Sequence, residues 1–467
     1  MIASYKTKMF DLAITGGFII DPVEKRLITA NVYVKGDKIA EVSRVLHEAK
    51  ELIDAKGMYV SPGFIDMHTH TENQYKVGEM LVRQGVTTVT GGHCGIGQTD
   101  LPGFFAEAEK GFIVNQSQLV GASELRERAG QKDPLTPMTE EQIQFAEKAL
   151  LADLESGAAG LSFGLAYVPG SSDEEITRLA QIAARYGKIV TIHTRGNGWE
   201  ALLGVQEAID ISRRTGAPVH ISHVVYEHGF GGMKEALALI DEAVHEGLDI
   251  SCDSGMYTSF ATNIGSEVFT EEALEALKCP LEKVFMGSGK FAGQPISSYE
   301  MYLEVREKFP HDIANAMVGC PHEIPMAFEL PYMMCSSDAG VSGIGGEEEP
   351  AHPQDAASFA KFLRETVVTT RQLTLVDAVS RITSLPAKRM GFDTKGRLVT
   401  GADADIVVFD IDRVHERADF PHLGKADAPP DGFEAVIVNG KVVVREGNVE
   451  CKNAGKVLRA PNTLWKY

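Results

Sequence analysis

Two histidines one residue apart, His68 and His70, close the stretch Ser61-Pro62-Gly63-Phe64-Ile65-Asp66-Met67-His68-Thr69-His70. Residues two apart on an extended chain share a face, so a strand entering through Met58–Phe64 aims both imidazoles at one point at its end. That is half of a metal site. More donors recur behind other strand-like runs: Cys94 after Val86–Thr90, His193 after Lys188–Ile192, His223 after Ala217–Ser222, and Asp338 after Tyr332–Ser337. Imidazoles with a thiolate suit a borderline-soft divalent ion, Zn2+ above all. Such an ion brings the pKa of bound water down to about 7 and polarises a carbonyl, which leaves protons to be moved. Asp338 is the candidate for that work, taking a proton from attacking water and passing it to a leaving nitrogen. Alone in Ser336-Ser337-Asp338-Ala339-Gly340 it would read as a turn aspartate; five ligand-type residues in its company change that reading.

The neighbouring candidates are weaker. His93 adjoins Cys94 and points the other way, and His220 lies an odd number of residues from His223, so both are expected to pack or support. Cys252, Cys279, Cys320, Cys335 and Cys451 read as small buried hydrophobes. Gly95-Ile96-Gly97 is too short to cradle a phosphate and lets the backbone pass close to the ion.

The elements that must position these residues alternate strand with helix. Gly85–Thr90, Leu161–Tyr167, Ile189–His193, Pro218–His223 and Leu248–Cys252 are strand-like. Thr139-Glu140-Glu141-Gln142 and Ser172-Asp173-Glu174-Glu175 are capping sequences that open helices, the first ending at Gly157, with further helices over Glu200–Ser212 and Lys234–His245. Alternation at this spacing means parallel strands with right-handed crossovers, in an α/β (β/α)8 barrel over 61–394. Both ends of the chain are different in character. Leu12–Ile20, Asn31–Val34, Lys38–Val42 and Met58–Val60 near the start, and Asp405–Asp410 and Ala435–Arg445 near the end, are short strands, the last with an Asn439-Gly440 hairpin turn. Segments 1–60 and 395–467 are therefore expected to build one small β-sandwich. Between them Ser266–Pro331 is hard to read; helical stretches at Thr270–Leu277 and Tyr299–Lys308 suggest a flap over the site.

Composition narrows the partners. Forty-five Lys and Arg against 65 Asp and Glu make a net charge of −20 over 467 residues, which disfavours nucleic acid and an anionic membrane surface. The polar opening Met1–Lys8 is not a secretory leader, no apolar run is long enough to span a bilayer, and the six cysteines form no framework. A cytoplasmic protein acting on a small-molecule substrate is expected, with a homo-oligomer left open.

The residues also carry a family resemblance. Pro62–His70 resembles the first-strand signature of the amidohydrolase superfamily. Gly85-Val86-Thr87-Thr88-Val89 leading to Cys94-Gly95, Gly160–Tyr167, His193-Thr194-Arg195, Ile221-Ser222-His223, Ser337-Asp338 and His352-Pro353 resemble its D-aminoacylase (N-acyl-D-amino-acid deacylase) branch. The similarity extends to Thr383–Ala387 and Ala404–Asp410. It implies that Cys94, His193 and His223 hold one zinc tightly, that His68 and His70 with Cys94 form a second, weaker position, and that Asp338 shuttles protons in hydrolysing the amide of an N-acyl-D-amino acid or related N-acyl compound. Cyclic-amide hydrolases of the superfamily bridge two metals with a lysine at the fourth strand, and Gly160–Pro169 contains none. A dihydroorotase or hydantoinase type is therefore the second choice, a deaminase, disfavoured by the thiolate ligand, the third, and an inactive binding barrel the alternative from another class. The family's Asp-x-Tyr-Pro-Tyr stands here as Asp253-Ser254-Gly255-Met256-Tyr257, its polar residues after the sixth-strand histidine as Val224-Val225, and its arginine after His352-Pro353 as Gln354. Arg195, two residues past His193, is the candidate for gripping a substrate carboxylate with its planar fork, and Tyr257 the candidate for polarising the substrate carbonyl.

Overall fold

The computed structural model describes residues 9–196, 201–340 and 349–460, so the polar opening Met1–Lys8 and the expected helix start at Glu200 lie outside the described residues. Eight parallel strands run in chain order around a barrel: Phe64–Asp66, Val86–Gly91, Asn115–Gln118 continued by Val120–Gly121, Gly160–Gly164, Ile189–His193, Val219–Ile221, Ile250–Ser254 and Met333–Cys335. The ring closes between the eighth strand and the first, where Thr69 bridges Ala339 in parallel and the Asp338 amide donates to the His68 carbonyl at 3.0 Å. Helices cover the outside of the barrel and strand side chains fill its inside, which is why Gly160–Gly164 and Ile189–His193 are buried throughout instead of alternating.

The helices form where the sequence places their caps. Thr139 accepts from the Gln142 amide while the Gln142 side chain returns to the Thr139 amide, and the helix runs Glu140–Glu155. Ser172 opens Asp173–Arg185, whose Ile176, Leu179, Ala180, Ile182 and Ala183 face the barrel at helical spacing.

Both chain ends build the expected sheet layer. A four-stranded sheet holds Phe10–Thr15, Asn31–Lys35, Lys38–Ser43 and Ala49–Asp54. A seven-stranded sheet joins Phe18–Asp21, Arg26–Thr29 and Tyr59–Pro62 to Ile406–Phe409, Phe433–Val438, Lys441–Arg445 and Asn448–Val449. Period-two alternation gives the late strands two jobs. Ile406, Val408, Ala435 and Ile437 meet Leu12, Ile14, Val34 and Ile39 between the sheets, while Val407, Phe409, Phe433 and Val436 join the core that continues into the barrel. There the Phe64 ring meets Phe409 and Phe433 at 6.1 and 6.3 Å.

Three details differ from the sequence reading. Leu12–Ile20 is not one strand: Gly16, at φ +80°, turns the chain, and the two halves enter different sheets. Arg26–Thr29 and Ala49–Asp54 escaped notice because they are largely exposed edge strands carrying charge instead of an apolar stripe. Between the seventh and eighth barrel strands, the segment expected to be helical also carries an antiparallel sheet of Phe260–Asn263, Val284–Met286 and Ile313–Ala316. These strands are too short to show periodicity, yet with Ile264, Phe269, Tyr302 and Val305 they close a core of their own.

Candidate metal centre and its cavity

At the carboxyl end of the barrel the chain ends its strands in left-handed backbone. Cys94, His223 and Asp338 have φ of 56°, 31° and 56°. For residues with a Cβ such conformations cost of order 1–3 kcal/mol each and persist only where surrounding structure imposes them. The turn at Cys94 depends on a close approach: a Cβ on Gly164, at the end of the fourth strand, would lie 1.9 Å from the Cys94 carbonyl oxygen. The fourth strand thus gives up a side chain so that the second can bring a thiol to the barrel axis.

Around that thiol the donors converge in two groups. Ligand atoms of Cys94, His193 and His223 lie within 4.8 Å of one another, and so do those of His68, His70, Cys94 and Asp338. Cys94 Sγ is 3.4 Å from both His68 Nε2 and His223 Nε2, and His193 Nδ1 is 3.0 Å from His223 Nε2. Asp338 Oδ1 is 3.3 Å from His68 Nε2 and from His70 Nε2. Zn–N and Zn–S bonds of about 2.0–2.3 Å would set tetrahedral ligand separations of about 3.3–3.8 Å, so the residues present fit a divalent ion in each group, with Cys94 common to both.

The charges agree with that fit. Burial alone would raise the Cys94 thiol, but the His68 and His223 rings hold it well below its ordinary value. Burial would likewise strip His68 and His223 of their protons; Asp253 and Cys94 for the first, and Cys94 and Glu227 for the second, raise them instead. Asp338 is held below the usual carboxylate range by hydrogen bonds to His68 and His70 against its burial. The cluster is an anionic thiolate and carboxylate ringed by imidazoles, the balance a metal takes over when it displaces the ring protons.

His93 and His220 support the site as expected, but the part of Asp253 and Glu227 was not found from the sequence. Asp253, on the seventh strand, has one oxygen 2.6 Å from His220 Nε2 and 3.2 Å from His68 Nδ1, while the other accepts from the His223 amide at 2.8 Å and from the Ser336 hydroxyl at 2.6 Å. It therefore aims two ligands at once. Its signal was a buried carboxylate at the end of a barrel strand, and no spacing rule connects it to His68, 185 residues earlier. Glu227, four residues after His223, accepts from the Thr194 amide and hydroxyl and lies 3.3 Å from His223 Nδ1 and 3.5 Å from His193 Nε2. His93 stacks on His68 with ring centres 4.0 Å apart, and His220 bonds Ser251 and Asp253.

The two residues expected to bind substrate have protein partners in this structure. The Arg195 fork closes on Glu207 at 3.0–3.1 Å, with its remaining donors on the Pro169 and Ser171 carbonyls. It braces the barrel mouth, because a carboxylate one helix away outcompetes solvent for a rigid fork. Tyr257 sits against His352 and Phe420 and donates to the Pro353 carbonyl at 3.4 Å. Val86–Gly91 and its neighbours instead open onto a cavity of about 290 Å³ lined by His70, Glu72, Cys94, His193, His223, Tyr226 and Asp338, and roofed by Phe260–Asn263 and Val268 of the inserted sheet.

A barrel whose strand ends converge on a shared cysteine, four histidines and an aspartate belongs to the metal-dependent hydrolases. Models of the amidohydrolase family match residues 59–243 and 356–444. The N-acyl-D-glutamate deacylase of Alcaligenes xylosoxydans xylosoxydans is 31% identical, covering 96% of each chain. The crystal structure of N-acyl-D-glutamate deacylase from Bordetella bronchiseptica, complexed with zinc and a phosphonate inhibitor mimicking the tetrahedral intermediate, superposes with a TM-score of 0.87 at 29% identity over 97% of this chain and all of that one. A D-aminoacylase studied for its binuclear metal centre, with one-metal activation and second-metal attenuation, gives 0.85 at 27% identity over 96% of this chain and all of that one. The chain belongs to the amidohydrolase family, in its D-aminoacylase branch. Among the described residues no helix is long and apolar enough to cross a membrane.

Proposed function

We propose that the protein hydrolyses the amide bond of an N-acyl-D-amino acid or a related N-acyl compound, with Zn2+ held by Cys94, His193 and His223 and a second, weaker position at His68, His70 and Cys94. The observation that carries this reading is the convergence of four histidines on one buried thiolate beside a carboxylate held below its usual range. The relatives whose names specify N-acyl-D-glutamate and D-amino-acid substrates support the substrate class.

A divalent ion bound there supplies Lewis acidity toward a carbonyl oxygen and makes water a nucleophile near neutral pH. The chain's own residues do the rest. Asp338 Oδ1, held ionised at the cavity floor, accepts the proton of the attacking water and returns it to the leaving nitrogen. Asp253 and Glu227 keep the imidazoles oriented. Phe260, Val268 and Ile313 of the inserted sheet cover the reacting atoms from water.

The test is release of free amine from N-acetyl and N-formyl D- and L-amino compounds by zinc-loaded protein, with dihydroorotate and hydantoins alongside. Turnover confined to D-configured N-acyl substrates is expected. Turnover of cyclic amides alone would move the assignment to that class, and none at all, with zinc bound, to an inactive barrel.

A further inference from the structure

The wall of the cavity opposite the metal ligands of the second strand contains a polar atom with nothing to bond. Tyr226 is 6% exposed, lines the cavity, and its hydroxyl is buried without a hydrogen-bond partner among the described residues. Its ring centre stands 6.0 Å from that of His223. The hydroxyl is there because a glycine follows the seventh strand: a Cβ built on Gly255 would lie 2.1 Å from the Tyr226 oxygen and 2.5 Å from the ring carbon that bears it. Tyr226 and Gly255 are a matched pair, since any side chain at 255 would evict the phenol. Buried hydroxyls in native structures almost always find a partner, so an orphan at the wall of a site marks a place where a ligand supplies one.

None of the described residues lining the cavity is Lys or Arg, while Glu72, Glu227 and Asp338 are acidic. Arg195 is spent on Glu207, and Lys361 lies over the outer side of the Tyr257 ring and pairs with Glu416. A phenol that donates one hydrogen bond suits an uncharged oxygen, and among the described lining residues no Lys or Arg stands beside it to pair with a carboxylate.

We propose that Tyr226, housed by Gly255, is the substrate-recognition donor of this site, and that the group it meets is neutral: the amine part of the substrate ends in a carboxamide, ester or hydroxyl, not a free carboxylate. The proposal rests on the amide-hydrolase reading above and narrows it.

Its test uses zinc-loaded full-length protein and two probes, the N-methylphosphonyl derivatives of D-alaninamide and of D-alanine, with dissociation constants from calorimetry. The carboxamide probe is expected to bind at least about tenfold more tightly than the carboxylate one, and Tyr226→Phe to erase that preference by weakening the carboxamide probe alone, with zinc content unchanged. Gly255→Ala should act like Tyr226→Phe, and the double variant should cost no more than either single one. Tighter binding of the carboxylate probe, or unchanged selectivity in both variants, overturns the proposal. Release of acetate from N-acetyl-D-alaninamide is followed separately. The predicted probe selectivity without turnover of any N-acyl compound would overturn the amide-hydrolase reading and keep the recognition site, whereas turnover with carboxylate-selective binding would do the reverse.

Discussion

The two ends of the barrel hold cavities of opposite character. The one at the amino ends of the strands is the larger, about 860 Å³ against 290 Å³. Its described lining includes no His or Cys, and three of its cations are paired: Lys395 with Asp405 and Asp403, Arg389 with Asp249, Lys25 with Asp377. Its left-handed turns fall on Gly187, Gly216, Gly391 and Gly396, with Lys25 as the non-glycine exception. Among the residues that line the cavity at the carboxyl end, the left-handed positions are Glu72, Cys94, His223 and Asp338. Size therefore does not locate the chemistry in this molecule. Backbone strain accepted at residues with reactive side chains does, because a stability-driven turn would use glycine.

Substitutions at the two ends should separate activity from stability. Cys94→Ala, which removes the donor common to both groups, is expected to leave neither metal position intact, with bound zinc and turnover both at background by elemental analysis and amine release. Zinc retained at one equivalent would show that the two groups do not depend on a shared thiolate. Asp338→Asn should lower kcat by about 10²–10⁴-fold while zinc content stays near that of the parent; undiminished kcat would remove Asp338 from proton transfer. Asp253→Asn, which disturbs the aim of His68 and His223 without removing a ligand, should weaken zinc binding by about 10–100-fold in a chelator competition.

At the other end, Lys395→Met leaves Asp405 and Asp403 without their buried cation and should cost about 3–5 kcal/mol of unfolding free energy with zinc content and kcat unchanged. Its pH dependence follows from the shifts. Burial would lower Lys395, but Asp405 and Asp403 raise it; burial would raise Asp403, but Lys395 and Lys38 lower it. The Asp403 contribution is present above about pH 3.9 and is lost as pH falls through its depressed folded value. The Lys395 contribution is present below about pH 10.4 and is lost as pH rises through its elevated one. The gap between parent and variant in chemical denaturation should stay level across that window and narrow beyond both edges; a gap that widens on acidification would contradict the pairing.

What the sequence determined by itself was the scaffold and the donors. Capping boxes and strand-helix alternation are local, so the helices over Glu140–Glu155 and Asp173–Arg185 and the barrel class were legible. His68 and His70 declared themselves through spacing, and Cys94, His193, His223 and Asp338 through their recurrence after strands and their likeness to a family. What only the tertiary structure decided was which partner each side chain takes. Arg195 has the right spacing from His193, and it was Glu207, twelve residues on and across a helix turn, that claimed its fork. Asp253 became the support of His68, and Tyr226 the occupant of the space beside Gly255, through contacts between residues 185 and 29 positions apart. Spacing along a strand sets the face a side chain points from, but closure of the barrel sets what it meets, and that depends on the register of eight strands at once.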